Sequence, residues 1–237
     1  KSEEDHTMTE AIGRRVDDYL VKPTSPRQVL SVVTRILEGS SIQQAQAAQD
    51  FAAIFSTLSA NVQAARNADQ FAAVYTELVD WQLRLGEAGE EGLLDTVASL
   101  INSLRRDFGE WVVSNYPKWM DGAPDRPLLS VDLVREFLVP RLSSDPVYFV
   151  VLDCMRLDQW RAIAPLLSEF FDVEETIHYS ILPTATPYAR NAIFSGQYPD
   201  EIAENHPGWW DASDDEGSLN AFEDELLAEQ LRRLTGR

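Results

Sequence analysis

An aspartate closes an apolar run, and two threonines open a helix further down the chain. The run is Val147-Tyr148-Phe149-Val150-Val151-Leu152, continued by Asp153-Cys154-Met155-Arg156-Leu157-Asp158-Gln159-Trp160. The second segment, about 25 residues later, is Leu182-Pro183-Thr184-Ala185-Thr186-Pro187-Tyr188-Ala189-Arg190-Asn191-Ala192-Ile193-Phe194-Ser195-Gly196. An uninterrupted apolar run reads as a parallel strand buried on both faces, which puts Asp153 at the sheet edge where open α/β sheets bind ligands. A Thr-rich turn opening a helix offers free N–H groups and the positive end of the helix dipole, both of which favour an anion. A hydroxyl at such a turn, beside a metal-bound carboxylate, is what metal-activated phosphoryl transfer requires.

Each of these residues also has a plainer reading. Asp153 could cap the following helix, and Thr184 and Thr186 could satisfy local backbone donors in a turn. Arg156 and Asp158 fit a local ion pair. His178 and His206 lack ligand spacing, and His6 reads as exposed. Taken together, and in this order after a buried strand, Asp153 and the threonines favour the metal site.

The elements that must position these groups follow from periodicity. Residues 7–15 have a helical pattern and Val16–Val21 a strand pattern, stopped by Lys22-Pro23. Ser25-Pro26-Arg27-Gln28 is a helix start with a capping-box spacing, Val29, Val33, Ile36 and Leu37 form the apolar stripe, and Gly39 is expected to end the helix. Three long amphipathic patterns without strand signal fill residues 41–118. The first carries Phe51, Ile54, Phe55 and Leu58. The second, starting after Asn67, carries Phe71, Val74, Tyr75, Leu78 and Leu85. The third carries Leu94, Val97, Ile101, Leu104, Phe108 and Val112. Short connections between them predict an antiparallel bundle, with the aromatics as core. A linker at 121–127 and a helix over about Val131–Leu142 come next. After the apolar run, a helix (Gln159–Phe171), a strand (Val173–Tyr179), a turn at Pro183 and a helix (Pro187–Phe194) give a β-α-β-α order, which implies an open parallel sheet. A last helix is expected from about Ala221 to Leu234.

Composition narrows the function classes. The chain has 237 residues, 44% hydrophobic and 25% charged, enough for one large or two to three small domains. One cysteine excludes an internal disulfide framework and a Cys-rich zinc knuckle, and fits a cytoplasmic setting. A net charge of −19 argues against a broad nucleic-acid-binding face. Between Asp200 and Gln230 stand eleven Asp or Glu and no Lys or Arg, read as a solvated acidic loop and helix face. No apolar run is long enough to insert in a membrane, and no secretory signal follows Lys1.

The Asp153 and Thr-rich segments together resemble the alkaline phosphatase superfamily in its PglZ branch. The resemblance implies that Asp153 is a zinc ligand and that a threonine in the turn is the nucleophile. The phosphodiesterase relatives have Pro-Thr-x-Thr and a Gly nine residues after the second Thr; here Gly196 is ten after Thr186. Thr186 is therefore the expected nucleophile, with Thr184 as the alternative, and Arg190, one turn into the helix, as a phosphate contact. The Asn that the family carries three positions after the Thr is replaced by Ala189.

Val16-Asp17-Asp18-Tyr19-Leu20-Val21-Lys22-Pro23 resembles the fifth strand of response-regulator receiver domains. That resemblance assigns Lys22 to the phosphoryl-balancing lysine and Tyr19 to the aromatic switch. The phosphoacceptor aspartate, the acidic pair for Mg2+ and the switch threonine would all precede Lys1.

The order receiver end, helical bundle and PglZ start is similar to PorX-type response regulators. The reading is a multidomain chain, α/β plus all-α. Residues 1–39 end a flavodoxin-like receiver, 40–120 form a three-helix bundle, 121–145 a linker and helix, and 146–237 start an alkaline-phosphatase-like parallel sheet. The resemblance implies a sensor histidine kinase as partner, phosphorylation-dependent homodimerisation, control of type IX secretion, and zinc-dependent phosphodiesterase activity on oligonucleotides. A non-catalytic scaffold that binds a nucleotide, or a protein such as a sigma factor, is the alternative. The chain reads as a piece of a longer protein, with its remaining Asp and His ligands beyond Arg237, and is expected to be inactive by itself.

Overall fold

In a computed structural model, residues 23–142, 146–210 and 220–236 are described. The readings on 7–21, and on Tyr19 and Lys22, lie outside them. Two compact units divide the chain, one up to Phe108 and one from Gly109 onward.

The described part of the first unit is built from helices. Helix α1 (Pro26–Ala64) begins where expected: the Ser25 Oγ accepts from the Gln28 N–H (3.3 Å), the Gln28 Oε1 accepts from the Ser25 N–H (2.9 Å), and proline takes the first turn. The helix does not stop at Gly39. It runs 39 residues, and Gly39 is an interior position. A glycine costs a helix about 1 kcal/mol, and the Gln- and Ala-rich stretch that follows is strongly helix-forming, so propagation wins. Helix α2 (Ala68–Ala88) is capped by Asn67, whose Oδ1 accepts from the Gln70 N–H (3.0 Å), and ends on left-handed Gly89 (φ 75°). Helix α3 (Glu91–Met120) contributes its part before Gly109.

The expected stripes supply most of this core. Phe51, Leu58, Phe71, Val74, Leu78, Leu85, Val97, Ile101 and Leu104 are buried, joined by Val62 and Val79. Phe51 meets Trp81 edge-on (centroids 5.4 Å apart), and Phe71 meets Phe108 likewise (5.4 Å). Phe55 departs from its stripe and stays exposed.

The second unit differs more from the sequence reading. Helical residues occupy 130–141, but as two tight 3₁₀ turns flanking a wide π-type turn at Val134–Leu138. Pro140 accounts for the distortion, because it lacks an N–H and its ring crowds the carbonyl four residues back. Helix α4 (Leu157–Leu167), helix α5 (Thr186–Ser195) and helix α7 (Glu223–Thr235) fall near their expected positions, while a short α6 (Pro199–Asn205) was not foreseen.

The expected parallel sheet does not form among the described residues. Residues 146–152 form no strand pairing with any described residue, and Tyr148, Val150 and Leu152 are exposed. Of the 173–179 segment only Tyr179 pairs, in one isolated parallel bridge to Leu129. An apolar run signals the burial that strand partners would give it, and it cannot supply those partners itself. Phe149 is its one anchored ring, edge-on to Phe194 of α5 at 6.2 Å.

The bridge is nonetheless well supported. Tyr179 donates its N–H to Leu128 O (2.8 Å) and accepts from the Ser130 N–H (3.1 Å), the Ser130 Oγ accepts from the Ile181 N–H (3.3 Å), and the Tyr116 hydroxyl accepts from the Leu182 N–H (2.7 Å). Trp111, Tyr116, Trp119 and Tyr179 pack around it, over buried Leu129, Val131, Ile181 and Ala192. Beneath lies Asp132, whose carboxylate takes both guanidinium nitrogens of Arg126 (2.6 and 2.8 Å), one from Arg135 (2.7 Å) and the Leu129 N–H (2.9 Å). Burial alone would push this carboxyl up; the Arg126 and Leu129 hydrogen bonds outweigh it and hold Asp132 below the usual carboxylate range.

Candidate functional site

Asp153 sits in a turn between residues 146–152 and α4. Its Oδ1 accepts from the Cys154 N–H (2.8 Å), and Cys154 adopts a left-handed backbone (φ 58°) that non-glycine residues rarely take. Asp153 is not the cap residue of α4. The cap position is Arg156, whose N–H donates to the Gln159 side chain (3.0 Å). Arg156 also grips Asp158 with two hydrogen bonds (2.9 and 2.7 Å), the local ion pair that the sequence suggests, and this contact lowers the Asp158 pKa.

Helix α5 supplies the other candidates. Ala185 is its cap residue, and no side chain closes the helix start. Thr186 is the first residue of α5 and half-buried; Thr184 lies just before and is exposed. Such a start presents backbone donors and a positive dipole end at the residue that carries the hydroxyl.

Arg190 joins the two segments. Its Nη1 lies 3.8 Å from Asp153 Oδ2, and its Nη2 donates to Glu223 Oε2 of α7 at 2.5 Å. The Nε of Arg190 is buried with no hydrogen-bond partner among the described residues. The fold thus brings together Asp153 and Arg190, with Thr186 one turn before Arg190 on the same helix. Glu223 is the member that sequence reasoning missed. It falls in the stretch read as solvated acid, 33 residues from its arginine, and its side chain is only 15% exposed. The one available signal was an acidic first turn on an amphipathic helix.

Helix α7 is fixed to α5 at a second place. The Gln230 side-chain amide, turned so that its nitrogen faces the carbonyls, donates to Ile193 O (3.2 Å) and Phe194 O (2.9 Å) and accepts from the Gly196 N–H (3.2 Å). Arg233 donates to Ser195 O (2.6 Å). Both helices therefore run in the same direction, with Glu223 opposite Arg190 and Gln230 opposite the α5 end.

His178 and His206 make no contact with Asp153, Thr186 or Arg190 among the described interactions, and His6 lies outside the described residues. His178 is exposed, and His206 pairs with Glu229 (3.2 Å) while stacking on Trp209 (centroids 4.3 Å apart). Among the described residues no three His, Cys, Asp or Glu side chains converge as a metal centre would need. Asp153, with a 41% exposed carboxylate, has the chemistry of one oxygen ligand, and the described residues do not complete a zinc site around it.

Comparison with known families places the chain. Residues 41–120 match the PorX response regulator linker domain, and residues 133–232 match the BREX system PglZ alkaline phosphatase-like domain. The two matches, in this order, support a PorX-type regulator with a PglZ domain. The second match contains Asp153, Thr184, Thr186, Arg190 and Glu223. No curated protein matches the chain. Among the described residues no helix is long and apolar enough to cross a membrane.

Proposed function

We propose that this protein is a response regulator whose PglZ domain hydrolyses phosphodiesters, with oligonucleotides as the substrate class and zinc as the metal. A sensor histidine kinase would supply the input, acting on a receiver to which Tyr19 and Lys22 belong and which binds Mg2+. Phosphorylation would favour a homodimer, and the output would serve type IX secretion. In this reading the 146–152 and 173–179 segments, which form no sheet with the described residues beyond the Tyr179 bridge, would pair as strands of an alkaline-phosphatase-like sheet.

The observation that carries the catalytic part is the approach of Arg190 to Asp153 (3.8 Å), with Thr186 at the open start of the same helix. This juxtaposition puts a candidate ligand, a candidate nucleophile and a cation within one small region. Zinc, when bound, would supply a Lewis acid for the phosphoryl oxygens. The chain's own groups do the rest. The Thr186 oxygen forms a bond to phosphorus as the bond to the leaving-group oxygen breaks, and the hydroxyl proton ends on the departing alcohol. Arg190 and the amides at the start of α5 orient the anionic oxygens. Water then releases the phosphoryl group and regenerates the hydroxyl.

Zinc content and hydrolysis, measured together in the intact protein and its Asp153→Ala variant, test this reading. The substitution is expected to lower bound zinc and abolish cleavage of bis-p-nitrophenyl phosphate. Full zinc content with full activity in Asp153→Ala would refute the assignment of this residue.

A further inference from the structure

We propose that Glu223 is a positioning residue for Arg190: its carboxylate holds the guanidinium in place beside Asp153, a role that rests on the phosphohydrolase reading above. Arg190 stands between two acids and could pair with either. A guanidinium left to itself prefers a two-pronged grip on one carboxylate. Here it makes a short single contact to Glu223 (2.5 Å) and stays at 3.8 Å from Asp153, with its Nε unpartnered among the described residues. The Glu223 contact is therefore what keeps Arg190 from closing on Asp153.

Glu223 is itself held. Its other oxygen accepts from Asn220 Nδ2 (2.8 Å), and it sits at the first residue of α7, where a carboxylate is favoured by the helix dipole. Gln230 and Arg233 lock the same helix to the end of α5, so Glu223 cannot shift along Arg190 without moving the pair of helices. The result is a fixed cation whose Nη1 stays 3.8 Å from Asp153 Oδ2, beyond hydrogen-bonding distance of that oxygen. An anionic substrate oxygen arriving between Thr186 and Asp153 meets a charge already oriented, which spares the cost of ordering a long side chain during binding.

The test is a double-mutant cycle on the intact protein, with kcat and KM read for bis-p-nitrophenyl phosphate. Glu223→Ala is expected to lower kcat/KM about tenfold, and Arg190→Ala more than that. Glu223→Ala combined with Arg190→Ala should be no worse than Arg190→Ala alone, since Glu223 acts only through the arginine. Glu223→Gln, which keeps an acceptor, should recover part of the loss and serves in place of Glu223→Ala should that variant fail to fold. A second readout is independent of activity: the side-chain NMR signal of Arg190, identified by its absence in Arg190→Lys, should show hindered guanidinium rotation that Glu223→Ala releases. Losses that multiply in the double variant, or an Arg190 signal indifferent to residue 223, would overturn the proposal. If Thr186→Ala abolishes activity while Glu223 substitutions change nothing, the positioning role fails and the phosphohydrolase reading stands. If Thr186→Ala is equally silent, both fail.

Discussion

A Cβ placed on Gly196 would fall 2.0 Å from the side-chain amide of Gln230. Gly196 also ends α5 in the left-handed region (φ 64°), where side chains are strained. Gly196→Ala is therefore expected to destabilise the protein by more than about 2 kcal/mol, combining the backbone penalty with overpacking against a buried residue. Urea denaturation checks it. Gln230→Ala should cost about 1–3 kcal/mol, because it strips partners from Ile193, Phe194 and Gly196 without adding strain. A harmless Gly196→Ala would contradict the packing of α7 on α5.

Asp132 gives a pH dependence with a definite sign. Its folded pKa is lowered despite burial, through the hydrogen bonds of Arg126 and Leu129. A depressed carboxyl contributes stability that is present above its unfolded pKa, about 3.9, and is lost as pH falls through the lower folded value. Asp132→Asn should therefore be less stable than wild type near neutral pH by about 1–3 kcal/mol, and the gap should narrow below about pH 4. Thermal midpoints of both proteins across pH 7 to 3 measure this. A gap that persists unchanged at pH 3 would show that the charge of Asp132 is not what holds the 126–135 segment.

Gly39 separates two accounts of α1. As an interior helical residue with open space around its Cα, Gly39→Ala should stabilise by about 1 kcal/mol. Had Gly39 ended the helix in a left-handed turn, as its sequence position suggests, the same change would destabilise. Helix content by circular dichroism and the denaturation midpoint distinguish the two.

Helices were legible because their signals are local. The Ser25–Gln28 cap, the helix start after Asn67 and the stripe from Phe71 to Leu85 depend on neighbours within a few residues, and the structure reproduces them. Gly39 misled because a stop signal needs the following residues to agree, and Gln43 to Gln49 favour helix instead. The apolar run 147–152 has the pattern of a buried strand, yet a strand's burial depends on partners elsewhere, and among the described residues it has none. The same distinction holds at the candidate site. Asp153 and Thr186 were visible from their segments, and the structure brings Arg190 toward Asp153. Glu223 was not visible, because its partner lies 33 residues away and its neighbours are solvated acids.

The central claim, that the start of α5 carries a phosphoryl-transfer nucleophile on the helix whose Arg190 approaches Asp153, is tested most directly by the rate of bis-p-nitrophenyl phosphate hydrolysis in the Thr186→Ala variant of the intact protein. An alanine at this helix start should cost only about 0.5–2 kcal/mol of stability, so the folded protein remains available for assay. Loss of a covalent nucleophile should lower kcat by several orders of magnitude, with bound zinc unchanged. A parallel Thr184→Ala variant, two residues earlier and exposed, should retain most of the rate. Activity lost in Thr184→Ala and kept in Thr186→Ala would move the nucleophile by two residues. Wild-type rates in both variants would contradict the account.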